Sequence, residues 1–314
     1  MRITWIGNHE EGVLAFGETV KKIGVNAFIT LDESAFAKKS AGSREYVDIC
    51  KKNNIPIFLV DTIKGDKAYE IILDQKPDLL VVLGWSEILP ERLLNIPTIG
   101  TVGTHAALLP HNRGSAPINW ALIHGEEKTG NTMMWLSKDV DAGAIIDQIE
   151  FPITAFDTCK TLYNKVAETN AVMLTKLIDS LNQGIKPVLP IENQTDEPIL
   201  PRRRPKDGLI NWNQGAKEIY NFIRALTKPY PGAFTFMNGK KYLIWEASVL
   251  PLMSEATPGK ILGCGYGFSE NGSGICVATT DNVLWLTLIE DENGNEYSDQ
   301  SLTDLNIKGV FENE

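Results

Sequence analysis

The chain has 314 residues, 43% hydrophobic and 22% charged, with a formal net charge of −10. That is an ordinary globular composition, long enough for two domains. No apolar run approaches the ~20 residues of a membrane span, and the acidic balance weighs against a large nucleic-acid partner, whose phosphates call for a basic face.

A local basic exception is "PRRRPK", Pro201 to Lys206. Four scattered cysteines (Cys50, Cys159, Cys264, Cys276) form no Cys-x-x-Cys pair. Reduced structural thiols are expected, with no metal and no disulfide. Met1 runs straight into a strand pattern with no stretch suited to a signal peptide, so a cytoplasmic location is expected.

In chain order, "RITWIG" (Arg2 to Gly7) predicts a strand and Val13 to Gly24 a helix with a glycine stop. "VNAFIT" predicts a second strand, and Ser43 to Asn54 a helix capped by Ser43. "IPIFLV" is a third strand, followed by a helix over Asp66 to Gln75. "PDLLVVLG" (Pro77 to Gly84) is apolar on both faces, as a central parallel strand is. "TIGTVGTH" (Thr98 to His105) makes a fifth. Alternating strands and helices predict an α/β doubly wound, mostly parallel sheet.

An apolar helix is expected after the Arg113-Gly114 turn. "NTMMWL" and "AIIDQIEF" then pair around the turn Ser137 to Gly143. A long helix follows from about Asp157 to Asn182, with Leu162, Val166, Met173, Leu177 and Leu181 on one face. Gln183 to Gly208 is Pro-rich and aperiodic, a linker by composition. After a helix at Ala216 to Leu226 come strands and hairpin turns at Asn238 and Asp281, the pattern of a small β-barrel with Trp245 and Trp285 in its core. The expected division is a first domain over 1–183, a linker over 184–205 and a second domain over 206–314.

His105 ends the fifth strand, and in doubly wound sheets ligands bind outside the carboxyl ends of strands. Asp141 sits in the turn "DVDAG". An imidazole paired with a carboxylate can take a proton from a nucleophile, although spacing alone is a weak signal. Gly7, Asn8 and His9 follow the first strand and are candidates for substrate contact; no Gly-x-Gly-x-x-Gly follows that strand, so a dinucleotide site is not expected. His111 and His124 read as solvated loop and helix-end residues.

The string "THAALLPHNRGSAPINWALIHGEEKTGNTMMWLSKDVDAGAIIDQ" resembles the folate-dependent formyltransferase family. Its pattern runs Asn-x-His-x-x-Leu-Leu-Pro, Arg-Gly, Ala-Pro, Thr-Gly and Asp-x-Gly. "LGWSEILP", "RRRPKDGLINW" and "RALTKPYPGAFTFMNGKKYLIW" extend the resemblance over nearly the whole chain. It implies a Rossmann-like catalytic domain, a carboxyl-terminal OB-like barrel, and N10-formyltetrahydrofolate as formyl donor to an amine. It assigns His105 to proton handling and oxyanion stabilisation, and Asp141 to orienting His105 and deprotonating the amine. Leu83, Gly84, Trp85 and Ile88, with Leu136, Lys138, Asp139 and Val140, would cradle the pteridine. Asn8, His9, Arg113, Gly114 and Ser115 would face the acceptor.

One departure stands out. Gly103 occupies the position of the family's Asn, which supplies a side-chain donor to the oxyanion. Replacement donors open to the chain are a backbone N–H near Gly103, protonated His105, or an amide such as Asn8 or Asn119. The acceptor also divides the family. "LDESAFAKKSAGSREY" after the second strand is short and not basic, unlike the corresponding loop of methionyl-tRNA formyltransferases. "DAGAII" and the barrel segment are more similar to the formyltransferase domain that modifies UDP-4-amino-4-deoxy-L-arabinose. A nucleotide-linked amino sugar is therefore the expected acceptor, as in polysaccharide biosynthesis. Methionyl-tRNA or a non-catalytic folate- or nucleotide-binding role are the alternatives. A homo-oligomer is compatible with the family.

Overall fold

The computed structural model describes residues 1–37, 42–191, 196–266 and 273–313. Parts of the loop after the second strand (38–41) and of the expected linker (192–195) lie outside the described residues. The chain divides into two compact units. The first comprises Met1–Pro117, Lys128–Pro152 and Leu162–Pro201; the second comprises Ile118–Glu127, Ile153–Thr161 and Arg202–Glu314.

The elements of the amino-terminal half run β1 (Ile3–Ile6), α1 (Val13–Lys22), β2 (Ala27–Leu31), α2 (Glu33–Phe36), α3 (Glu45–Asn53), β3 (Ile57–Val60), α4 (Asp66–Gln75), β4 (Leu79–Val82), α5 (Glu91–Leu94) and β5 (Gly100–His105). Then come α6 (Pro117–Ile123), β6 (Lys128–Trp135), β7 (Ile145–Pro152) and α7 (Cys159–Asn182). The seven strands of the first unit form one sheet in the order β3-β2-β1-β4-β5-β6-β7. β1 to β5 are parallel, and β6 and β7 run antiparallel at the far edge.

The order reverses between β1 and β4, which opens a crevice at their carboxyl ends. β1, β2 and β4 are buried at every position because both faces are covered. On one face Trp5, Val81 and Val102 pack with Phe16, Tyr46 and Leu177; on the other Ile6, Leu80 and Val82 pack with Ala68, Ile72 and Leu93. The stretch expected as a linker is largely pinned to this unit. Trp135 Nε1 donates to Pro187 O (2.9 Å), Leu189 N–H to Ile145 O (2.7 Å) and Leu200 N–H to Arg113 O (2.7 Å).

The carboxyl-terminal part supplies α8 (Ala216–Leu226), β8 (Ala233–Met237), β9 (Lys240–Leu250), β10 (Ile261–Tyr266), β11 (Ser273–Ala278), β12 (Val283–Asp291), β13 (Glu296–Ser298) and α9 (Asp299–Asp304). The antiparallel sheet runs β10-β11-β12-β9-β8, with β13 beside β12. Its two edges are joined by the chain end, since Val310 bridges Lys260 and Glu312 bridges Phe236. These single bridges cover part of each edge, where an open sheet would leave exposed N–H and C=O groups. The turn at Asn238-Gly239 has positive φ at both residues (52° and 73°), as a tight hairpin requires. Trp245 and Trp285 are buried in this unit.

Two upstream segments belong to the same unit. Arg224 donates to the carbonyls of Thr154 (2.7 Å) and Asp157 (2.9 Å), and Asn119 Nδ2 donates to Ala225 O (2.6 Å). All four cysteines are free thiols, and burial pushes Cys50 and Cys159 up to about 12. Among the described residues no helix is long and apolar enough to cross a membrane.

Candidate active site

His105 closes β5 and is only 8% exposed. The loop beyond it is held by β6 and β7. Thr132 Oγ1 donates to Ala107 O (2.6 Å) and accepts from Leu109 N–H (3.1 Å), and Gln148 Nε2 donates to Leu109 O (2.7 Å). Asn112 then adopts a left-handed φ of 56°, which Asn tolerates better than most residues. Its carbonyl returns to His105 Nε2 at 2.8 Å. A carbonyl only accepts, so Nε2 carries hydrogen and Nδ1 is turned to the other side.

Asp141 stands on that other side. Its Oδ1 lies 3.4 Å from His105 Nδ1, and its Oδ2 accepts the Gly114 N–H at 2.9 Å. The turn that presents it has Asp141 at φ 53°. The Asp-x-Gly spacing has a steric cause, because a Cβ at Gly143 would overlap the Trp135 carbonyl oxygen. Only glycine lets the turn close on the end of β6 and send Asp141 back toward β5. The pair is largely withdrawn from water, at 8% and 15% side-chain exposure, where charge interactions are stronger than in bulk solvent.

Gly103 lies one alternation before His105, on the same face of β5. A Cβ there would meet Leu136 Cδ2 at 2.9 Å and Cδ1 at 3.1 Å. Leu136 therefore fills the room a larger residue at 103 would use. Asn8, beyond the end of β1, is buried and neither atom of its amide has a hydrogen-bond partner.

The other expected contacts are distributed as follows. The Leu83 side chain is part of the core with Trp5 and Tyr46, and the Gly84 carbonyl accepts both Asn8 N–H and His9 N–H (2.8 Å each). Both therefore meet any ligand through backbone alone. Trp85 is half-buried with its indole N–H unpartnered, and Ile88 is exposed. Lys138, Asp139 and Val140 are exposed on the turn that carries Asp141. His9 is half-buried, and its carbonyl accepts the Tyr46 hydroxyl at 3.0 Å. Burial pushes that phenol well above its ordinary value. Arg113 to Ser115 pair with Leu200 through backbone. His111 is exposed, with Glu197 2.8 Å from its Nδ1.

The structure thus links His105, Asp141 and Gly114 directly and packs Gly103 against Leu136. Asn112, Thr132 and Gln148 escaped the sequence reading. The only local signal for Asn112 was an Asn in a Pro-x-Asn-x-Gly loop, a residue suited to positive φ.

A doubly wound sheet with a histidine at the end of β5 facing a carboxylate from the β6–β7 turn, followed by an antiparallel sheet domain, is the organisation of a one-carbon transferase. Residues 37–178 match the formyl transferase family and residues 203–304 match its C-terminal domain. The chain belongs to that family, folate-dependent one-carbon transferases whose donor is N10-formyltetrahydrofolate.

The chain is 33% identical to methionyl-tRNA formyltransferase of Clostridium tetani over 298 residues, 92% of each chain. It is 36% identical over 266 residues to the bifunctional polymyxin resistance protein ArnA of Wigglesworthia glossinidia brevipalpis, covering 83% of this chain and 40% of that protein. Among solved structures it resembles HypX from Aquifex aeolicus in complex with tetrahydrofolic acid (TM-score 0.64, 18% identity, 99% of this chain and 48% of that one). It also resembles WlaRD, a sugar 3N-formyl transferase (TM-score 0.58, 17% identity, 94% and 99%).

Proposed function

We propose that the chain moves a formyl group from N10-formyltetrahydrofolate to the amine of a nucleotide-linked amino sugar. The donor is consumed in the reaction and supplies an activated formyl carbon; the crevice at the ends of β1, β4 and β5 suits it, because buried polar groups of Asn8 and Trp85 there have no partner among the described residues. Leu83 to Ile88 and Leu136 to Val140 flank the pteridine. Asn8, His9 and Arg113 to Ser115 flank the acceptor.

The chemistry rests on one observation, the His105–Asp141 pair. The Asn112 carbonyl fixes the ring with hydrogen on Nε2, and Gly114 N–H fixes the carboxylate. The neutral amine is the form that attacks, and as its nitrogen bonds to the formyl carbon it must shed a proton, which the pair sharing the space between Nδ1 and Oδ1 is placed to receive.

The acceptor class is supported by charge. Residues 202–314 hold 11 Lys and Arg against 14 Asp and Glu, a net −3. A domain that grips a polyanion by releasing counterions needs the opposite sign. A methionyl-tRNA acceptor is the second reading, favoured by the 92% coverage of both chains in the clostridial comparison. Supplying the donor with UDP-, dTDP-, GDP- and CMP-linked amino sugars in one series, and with methionyl-tRNA in another, tests the two. N-formylation of a sugar nucleotide is expected; turnover with tRNA alone overturns this acceptor.

A further inference from the structure

The family's side-chain donor is missing at position 103, and the other replacement donors named above are engaged. Gly103 lies in a strand paired on both sides, so its N–H belongs to the sheet ladder. Leu136 fills the space beside it. The His105 Nε2 hydrogen is held by Asn112 O, and Nδ1 faces Asp141. Asn119 Nδ2 donates to Ala225 O, within the second unit.

Asn8 is different. It is 1% exposed, yet neither Nδ2 nor Oδ1 has a partner. A buried unpaired amide is costly to retain, and it calls for a partner such as a water or a bound group. Its place in the sheet is specific. Ile6, Val82 and Gly103 lie level on β1, β4 and β5. Two residues further along each chain stand Asn8, Gly84 and His105.

Ile6 and Val82 face the α4 side together with Trp85 and Leu136, whereas a Cβ at Gly7 would meet Trp5 and Tyr46 on the opposite side. Asn8 stands just beyond the carboxyl end of β1, at the same edge of the sheet at which His105 ends β5. Strands spaced about 4.8 Å apart set β1 and β5 about 10 Å apart. Two side chains reaching in from each end leave room for one small group.

We propose that Asn8 is a catalytic residue that takes over the missing donor's work, its Nδ2–H donating to the oxygen of the formyl group in transit. This deepens the formyl-transfer reading and rests on it, but not on the acceptor. In the step, the neutral amine nitrogen bonds to the formyl carbon while the C=O pair moves onto oxygen, where Asn8 donates. The amine's proton passes to the Asp141–His105 pair. The oxygen's pair then re-forms C=O, the bond from carbon to N10 breaks, and N10 takes up that proton. The products are the N-formyl compound and tetrahydrofolate.

The test compares the native chain with Asn8→Leu, which keeps the volume and removes the donor, and Asn8→Ser, which offers a shorter one. Turnover is measured with whichever amine the native enzyme formylates, and in parallel as formate released when water replaces the amine. A wrong acceptor class therefore shows itself separately, as a change of amine with the Asn8 effect intact. Asn8→Leu should lower kcat by about 10²- to 10³-fold, the usual loss for one oxyanion donor, with Asn8→Ser in between. Donor binding, followed by tryptophan fluorescence, should change far less than kcat. Tm should hold or rise, because an unpaired buried amide has been removed.

A fall in Tm would mark Asn8 as structural and overturn the proposal. So would a kcat within about threefold of native in Asn8→Leu, or a rise in KM alone. A native chain that binds the donor but neither transfers nor releases formate overturns it as well.

Discussion

His105 and Asp141 meet nitrogen to oxygen at 3.4 Å, and each is held from behind by backbone, His105 by the Asn112 carbonyl and Asp141 by the Gly114 N–H. Neither side chain is part of the apolar clusters that hold the sheet together. Replacing one should therefore remove chemistry rather than fold. His105→Ala and Asp141→Ala are each expected to lower kcat by about 10²- to 10⁴-fold, the range of a lost general base. Circular dichroism should stay native. Asp141→Asn separates the two roles of the carboxylate, because its amide oxygen can still accept from Gly114. It should preserve Tm better than Asp141→Ala while losing comparable turnover. Near-native kcat in any of the three would remove the pair from the mechanism.

Gly143 controls the same pair from a distance. Because a Cβ there overlaps the Trp135 carbonyl, Gly143→Ala must displace either the end of β6 or the turn that carries Asp141. Forcing a methyl into a filled space costs about 1–3 kcal/mol. Thermal unfolding should detect that loss, and kcat should fall even where the variant remains folded. A variant with native Tm and native turnover would show that the turn tolerates a side chain.

Residue patterns located much of this in advance, for reasons that differ by element. The helices Asp66–Gln75 and Ala216–Leu226 match their expected limits because their apolar spacing is regular and their starts are marked by Gly. The β6–β7 pairing was readable from its two apolar runs and the turn between them. α2, α5 and α9 are one or two turns long, too short to display a helical period. The grouping of 118–127 and 153–161 with the second unit depends on contacts such as Arg224 to Thr154, across seventy residues of chain. At the site, His105 and Asp141 stood out through the family resemblance of the string that contains them, their spacing alone being a weak signal. The Asn112 carbonyl and the Leu136 side chain did not, because a backbone oxygen has no residue type and a leucine reads as core.

The second unit carries a pH-sensitive tie. Asp281, in the turn between β11 and β12, accepts the Ala216 N–H at the start of α8 at 2.8 Å. That backbone hydrogen bond, with help from Thr279, holds its carboxyl below the usual carboxylate range. A folded value below the unfolded one adds stability above the unfolded pKa, and this is lost as pH falls through the folded value. Asp281→Asn should thus be less stable than the native chain at neutral pH. The gap in urea midpoint should narrow as pH falls below the ordinary carboxylate range and the folded carboxyl takes up its proton. A gap that persists unchanged in acid would show that the charge of Asp281 contributes nothing.

The fit of Leu136 against Gly103 makes the last expectation the most specific. Restoring the family's residue with Gly103→Asn would place a Cβ 2.9 Å from Leu136 Cδ2, closer than packed carbons come. The new amide would have to push Leu136 aside, and the turn that carries Asp141 begins at the next residue. Gly103→Asn alone should therefore lower kcat, or leave it unchanged, although it adds the group the family motif contains. Gly103→Asn combined with Leu136→Ala removes the clash and lets the amide settle. In an Asn8→Leu background, that double change should recover part of the lost rate, because one donor then substitutes for the other. The measurement is kcat at saturating donor for the native chain and these four variants, Asn8→Leu included, with Tm recorded alongside. A rise of about a hundredfold in Gly103→Asn alone would show that the native site lacks a donor altogether. It would leave Asn8 without the role its unpaired amide suggests.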